Sequence, residues 1–70
     1  MNIKIGEINV EVKYWESLDG KQKRYYLKAA GRGHNAATWN VNTGKWEFPK
    51  NQYLAMSIEF ANKVKAAAGF

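Results

Sequence analysis

The side chains best equipped to bind something in this chain are aromatic and basic. Tyr14, Trp15, Tyr25, Tyr26, Trp39, Trp46 and Phe48 recur along a stretch that also carries Lys13, Lys21, Lys23, Arg24, Lys28, Arg32 and Lys45. Every nucleobase has a π-face, so an exposed ring stacks on any base, contributing about 1–3 kcal/mol per base. Lys and Arg neutralise the adjoining phosphates and release their counterions. A duplex hides its base faces, so this combination favours unpaired strands. The same rings could instead fill a core or a protein interface, where Tyr and Trp are enriched. The basic stripe beside them tips the reading toward nucleic acid.

Catalysis finds little footing. The chain has no cysteine and a single histidine, His34, which excludes disulfides, thiolate metal sites and a His-based metal cluster. No nucleophile–base pair is suggested. Glu7 and Glu11 lack a partner acid, and Asp19 reads as a turn former. Gly31-Arg32-Gly33 is too short to cradle a phosphate and reads as a flexible basic turn. We therefore expect no catalytic residue, no metal and no cofactor.

Eleven Lys+Arg against six Asp+Glu give a net charge of +5. From Gly20 to Gly33 the chain carries Lys21, Lys23, Arg24, Lys28 and Arg32 with no acid among them. That segment alone accounts for the net charge, and a local basic stripe favours polyanions.

These side chains need a scaffold, and 70 residues allow one domain, 1–70. A core this small is marginal, and without disulfides or metal the remaining support is a partner subunit, so a homodimer is expected. The start of the chain shows neither an apolar run nor a small-residue cleavage site, and no stretch is long enough to span a bilayer. A soluble, cytoplasmic protein that is not secreted is the expectation.

Ile3 and Ile5, then Ile8, Val10, Val12 and Tyr14, alternate with polar residues, which reads as strand. The apolar phase switches at Gly6-Glu7, suggesting a bend within one long first strand. Ser17-Leu18-Asp19-Gly20-Lys21 is a turn. A second strand is expected over Lys23–Ala30, a loop over Gly31–Asn35, a third strand over Thr38–Val41, a tight turn at Asn42–Lys45, and a fourth strand over Lys45–Phe48, ended by Pro49. A helix capped by Asn51, or starting at Lys50, is expected to run to Ala68 and stop at Gly69. Its apolar residues make two stripes: Tyr53, Met56, Phe60, Val64 and Ala67, and beside them Leu54, Ile58, Ala61 and Ala68. One sheet needs an arc of only about 100°. The surplus points to a twin helix across a two-fold axis, with Leu54, Ile58 and Ala61 at the dimer interface; a sheet that curls around the helix is the alternative.

The resulting fold class is α+β: a four-stranded antiparallel sheet followed by one C-terminal helix (ββββα), dimeric through that helix. One helix covers one sheet face and leaves the other open. Because neighbours on a strand point to opposite faces, Tyr14 and Trp15 cannot both be core, nor can Tyr25 and Tyr26. Some rings must face outward.

Three segments carry a family likeness. Ile3-Lys4-Ile5-Gly6-Glu7-Ile8-Asn9-Val10-Glu11-Val12 is one, the hairpin from Lys13 through Trp15 to Lys21 another, and Gly44-Lys45-Trp46-Glu47-Phe48-Pro49-Lys50-Asn51-Gln52-Tyr53 the third. Together, with the order of elements, they resemble the positive-cofactor-four family of transcription coactivators and its phage and bacterial relatives. The resemblance implies a homodimer that binds single-stranded DNA on its sheet faces. It implies phosphate contacts at Lys13, Lys21, Lys23 and Lys45, looser ones at Lys28 and Arg32, and a stacking ring at Trp15. Glu7 and Asn9 depart from the basic residues the family has after its Ile-Gly pair, which weakens the contact expected there. The run from Trp39 to Pro49 also resembles a Trp-turn-Trp-x-apolar-Pro element of domains attached to annealing helicases, which again points to nucleic acid.

The sequence is thus read as a non-catalytic single-stranded DNA-binding protein of replication, recombination or transcription. Its expected site is Lys13, Trp15, Lys21, Lys23, Arg24, Tyr26, Lys28, Arg32 and Lys45, and its expected partners are single-stranded DNA or RNA and a second copy of itself. The competing reading is a small protein-interaction module, such as a phage inhibitor of a host enzyme, with the aromatics forming a protein hot spot.

Overall fold

The structure is a computed structural model that describes residues 1–29 and 35–70. Its elements are β1 (Asn2–Ile5), β2 (Ile8–Glu16), β3 (Lys23–Ala29), β4 (Ala36–Asn40), β5 (Lys45–Glu47) and α1 (Ile58–Ala68). The strands form one antiparallel meander in the order β1-β2-β3-β4-β5. The expected α+β arrangement of an antiparallel sheet followed by a helix is present.

The sheet has five strands, not the expected four. The segment read as one long bent strand is a hairpin. Ile5 pairs directly with Ile8, so Gly6-Glu7 is a two-residue turn, and Gly6 enters it at φ 60°. A two-residue hairpin loop needs positive φ, which glycine adopts without a steric penalty. The phase switch is the signature of this turn: Ile5 and Ile8 are partners on the same face although an odd number of positions separates them.

The helix starts later than expected. Asn51 is not its cap: the Asn51 side chain accepts a hydrogen bond from the Tyr53 N–H at 3.0 Å and closes a local turn. Leu54–Met56 then runs alongside the first residue of β4. The Ala36 N–H donates to the Leu54 carbonyl at 2.8 Å, and the Met56 N–H donates to the Ala36 carbonyl at 2.8 Å. β5 pairs only with Thr38, Trp39 and Asn40, so Ala36 would otherwise face water with unpaired backbone groups. Satisfying that edge takes precedence over winding Leu54–Met56 into helix. Ser57 is the true N-cap, in extended conformation, with its hydroxyl accepting from the Phe60 N–H at 3.2 Å. Gly69 ends the helix at φ 81° and donates to the Lys65 carbonyl, as the sequence predicts.

The core joins Val10, Val12, Leu27, Ala29 and Ala37 of the sheet to Met56, Ala61 and Val64. Burial of each larger aliphatic here contributes about 1.5–3 kcal/mol. Ile3, Ile5, Tyr25, Trp46, Phe60 and Phe70 pack around it. The inward side of α1 is therefore the arc of Phe60, Ala61 and Val64. Ala61 is 0% exposed within the chain's own core, so of the three residues assigned to a partner only Leu54 and Ile58 remain on the surface. No helix among the described residues is long and apolar enough to cross a membrane.

Candidate nucleic-acid interface

Pairing register assigns every strand residue to a face. Ile3, Ile5, Ile8, Val10, Val12, Tyr14, Tyr25, Leu27, Ala37, Trp39 and Trp46 share the helix side. The opposite face is organised in cross-strand rows. Trp15, Arg24, Asn40 and Lys45 make one row; Lys13, Tyr26, Thr38 and Glu47 make the next; Glu11, Lys28 and Ala36 a third; and Lys4 with Asn9 lie at the β1 edge. This face thus holds five cations, two carboxylates and two rings.

The rings are accessible. Trp15 is 41% exposed and Tyr26 is 42% exposed. Trp15 pairs with Arg24, and Tyr26 pairs with Lys13, so each ring has a cation directly across from it. The two residues are diagonal neighbours on adjacent strands, their backbone positions roughly 7–8 Å apart. An unstacked strand spreads its bases beyond the ~3.4 Å rise of one duplex strand, so neighbouring bases of an extended strand can span the two positions.

Trp39 and Trp46 meet the helix, and the other strand aromatics of that side pack among themselves. Tyr14 meets Tyr25 with centroids 4.9 Å apart, Trp39 meets Trp46 at 5.0 Å, and Trp46 meets Phe48 at 6.4 Å. The Trp46 indole N–H donates to the Asn62 side-chain oxygen of α1 at 2.9 Å. The Lys65 ammonium sits 4.8 Å from the Trp39 ring centre and donates to the Phe70 carbonyl at 2.7 Å. Tyr14 and Tyr25 lie on this side because they share strand phase with the buried Val12 and Leu27.

Of the residues expected to bind, Lys13, Trp15, Arg24, Tyr26, Lys28 and Lys45 share the open face. Lys21 lies in the β2–β3 loop. Lys23 has the opposite parity, on the Tyr25 side, with its ammonium 3.9 Å from Glu16. Arg32 lies outside the described residues. Lys4, Thr38, Asn40, Glu11 and Glu47 also belong to the face and were missed. The alternation predicts Lys4 once Gly6-Glu7 is read as a turn; the two acids escape notice when charge is summed along the chain and not across the sheet.

The carboxylates are engaged. Glu11 lies 3.3 Å from the Lys13 ammonium. Glu47 accepts from the Arg24 Nε at 3.5 Å through one oxygen and from the Asn40 Nδ2 at 3.2 Å through the other. Asn40, buried on this face, accepts through its own oxygen from the N–H groups of Asn42 at 3.0 Å and Thr43 at 3.2 Å. Beside Glu47, the Arg24 guanidinium carbon lies 5.7 Å from the Trp15 ring centre.

Two loops frame this end of the sheet. Asn42 accepts from the Lys23 N–H at 2.8 Å and donates to the Lys21 carbonyl, tying the β4–β5 turn to the β2–β3 loop. Inside that loop, the Ser17 hydroxyl donates to the Asp19 carboxylate at 2.6 Å, and the Lys21 N–H adds a second bond at 3.0 Å. These donors, the Ser17 hydroxyl first, hold the Asp19 carboxyl below its usual range. The Tyr14 phenol donates to Glu16 at 2.8 Å, which raises its pKa, since ionisation would lose that bond beside a carboxylate.

The fold and face define a class: a small α+β domain with an open, basic, ring-bearing sheet surface. Comparison with protein-family models, with curated proteins and with solved structures gives no match.

Proposed function

We propose that the chain is a non-catalytic single-stranded DNA-binding protein, taking bases on Trp15 and Tyr26 and phosphates on Lys4, Lys28 and Lys45. One observation carries the reading: the face the helix leaves uncovered bears two exposed rings, each opposite a cation, among five cations and two acids. A sheet face meant only for water would carry Thr, Ser, Lys and Glu at those two positions in place of rings. The likeness to the positive-cofactor-four family points the same way, and with it a role in replication, recombination or transcription, in whichever compartment single strands are exposed. Self-association is part of the proposal: Leu54 and Ile58, apolar and exposed beside the start of α1, are where a second copy would dock.

Titration with oligo-dT at two salt concentrations tests the reading. Tryptophan fluorescence should be quenched. If about three to five phosphates are neutralised, log K should fall against log salt with a slope of about −2 to −3.5. Absence of binding at low salt would favour a protein partner for the same rings. Competition with duplex and RNA ranks the nucleic-acid alternatives.

A further inference from the structure

We infer that the face is not indifferent to sequence: Arg24 reads the edge of the base stacked on Trp15, and it prefers guanine. This rests on the single-strand reading above and sharpens it.

Three observations carry the inference. Arg24 is the direct cross-strand partner of Trp15, and its guanidinium carbon lies 5.7 Å from the ring centre. The guanidinium lies over the indole beyond flat stacking distance, so a base sharing that ring would bring its edge to it. Second, its orientation is set from behind. The Arg24 Nε is bonded to Glu47, and Glu47 is held by Asn40, which caps the β4–β5 turn. Among the described residues the two terminal amino groups of Arg24 make no hydrogen bond, so the fork that matches O6 and N7 of guanine is unspent. Third, Glu47 neutralises Arg24 locally at 3.5 Å. A carboxylate so close opposes a phosphate, which carries full negative charge, far more than it opposes an uncharged base edge. The chemistry therefore favours a base over the backbone as the ligand of this arginine, while Lys4, Lys28 and Lys45 serve the phosphates.

The test compares alternating d(GT), d(AT) and d(7-deaza-GT) oligomers with oligo-dT of equal length, by anisotropy. The parent protein should bind d(GT) roughly five- to a hundredfold more tightly than d(AT). The 7-deaza oligomer, which keeps the stacking surface but lacks the N7 acceptor, should lose most of that advantage. Arg24→Gln should reduce the d(GT)/d(AT) ratio to near one, whatever its affinity for oligo-dT. Equal affinity for d(GT) and d(AT), an undiminished 7-deaza complex, or a ratio unchanged in Arg24→Gln would each overturn the role of Arg24 while leaving a single-strand face intact. Failure of every oligomer to bind would remove the face itself, and this inference with it.

Discussion

The ring of Phe70 lies flat on that of Tyr25, with centroids 4.1 Å apart and planes within 5° of parallel. The residue just beyond the Gly69 cap thereby clamps the end of α1 to the middle strand. Phe70→Ala removes the stack and the apolar area beneath it. We expect a loss of about 2 kcal/mol, which for a domain of this size lowers Tm by roughly 10 °C. A circular-dichroism melt reads it, and an unchanged Tm would mean the clamp contributes nothing.

Trp15→Ala and Tyr26→Ala should each weaken binding of a labelled oligo-dT about tenfold, the lower half of the range for one lost stacking partner. Lys63→Ala, on the exposed side of α1, should bind like the parent. If all three variants match the parent, the chosen surface is wrong.

Charge at two nearby helix positions should have opposite consequences. Ala61 is fully buried and Ile58 is 54% exposed. Ala61→Glu places an unpaired carboxylate in the core and should unfold the chain or cost several kcal/mol. Ile58→Glu should leave the chain folded and convert any dimer to monomer, lowering the melt only by what the partner contributed. Sedimentation at matched concentrations decides, and an unshifted mass for a folded Ile58→Glu would end the case for this docking surface.

Two titrating groups give pH dependence of opposite sign. The Asp19 carboxyl is more acidic when folded, so its stabilising effect is complete above the unfolded value and fades as pH falls below about 4. Tyr14 is less acidic when folded, so its contribution is complete below the unfolded value of about 10 and fades as pH rises through the folded one. Asp19→Asn should flatten the acid limb of a stability–pH profile, and Tyr14→Phe the alkaline limb. If each variant keeps the parent's limb, the Ser17 and Glu16 hydrogen bonds are not formed in solution.

The sheet was legible because strand alternation is strong from Ile3 to Tyr14 and turn residues punctuate the chain from Ser17 to Lys45. The count of strands was not, because Gly6-Glu7 supports a bulge and a two-residue turn alike, and only the pairing of Ile5 with Ile8 separates them. The helix start was obscured by a competition that local chemistry does not display. Asn51 is as good a cap as Ser57, and what defeats it is the need of Ala36, far upstream in the chain, for backbone partners. On the open face, alternation alone requires that one of Tyr14 and Trp15, and one of Tyr25 and Tyr26, turn outward. Which one is set by the core: Tyr14 shares its strand phase with Val10 and Val12, and Tyr25 with Leu27, so Trp15 and Tyr26 fall on the other side, and Phe70 then covers Tyr25.

Asn42 fastens the Lys21–Lys23 backbone to the β4–β5 turn through two hydrogen bonds. On the proposed reading, a strand arriving there meets a braced rim, so little conformational freedom is lost on docking. Capture should then run at the speed of collision and electrostatic attraction, with no slower rearrangement after it.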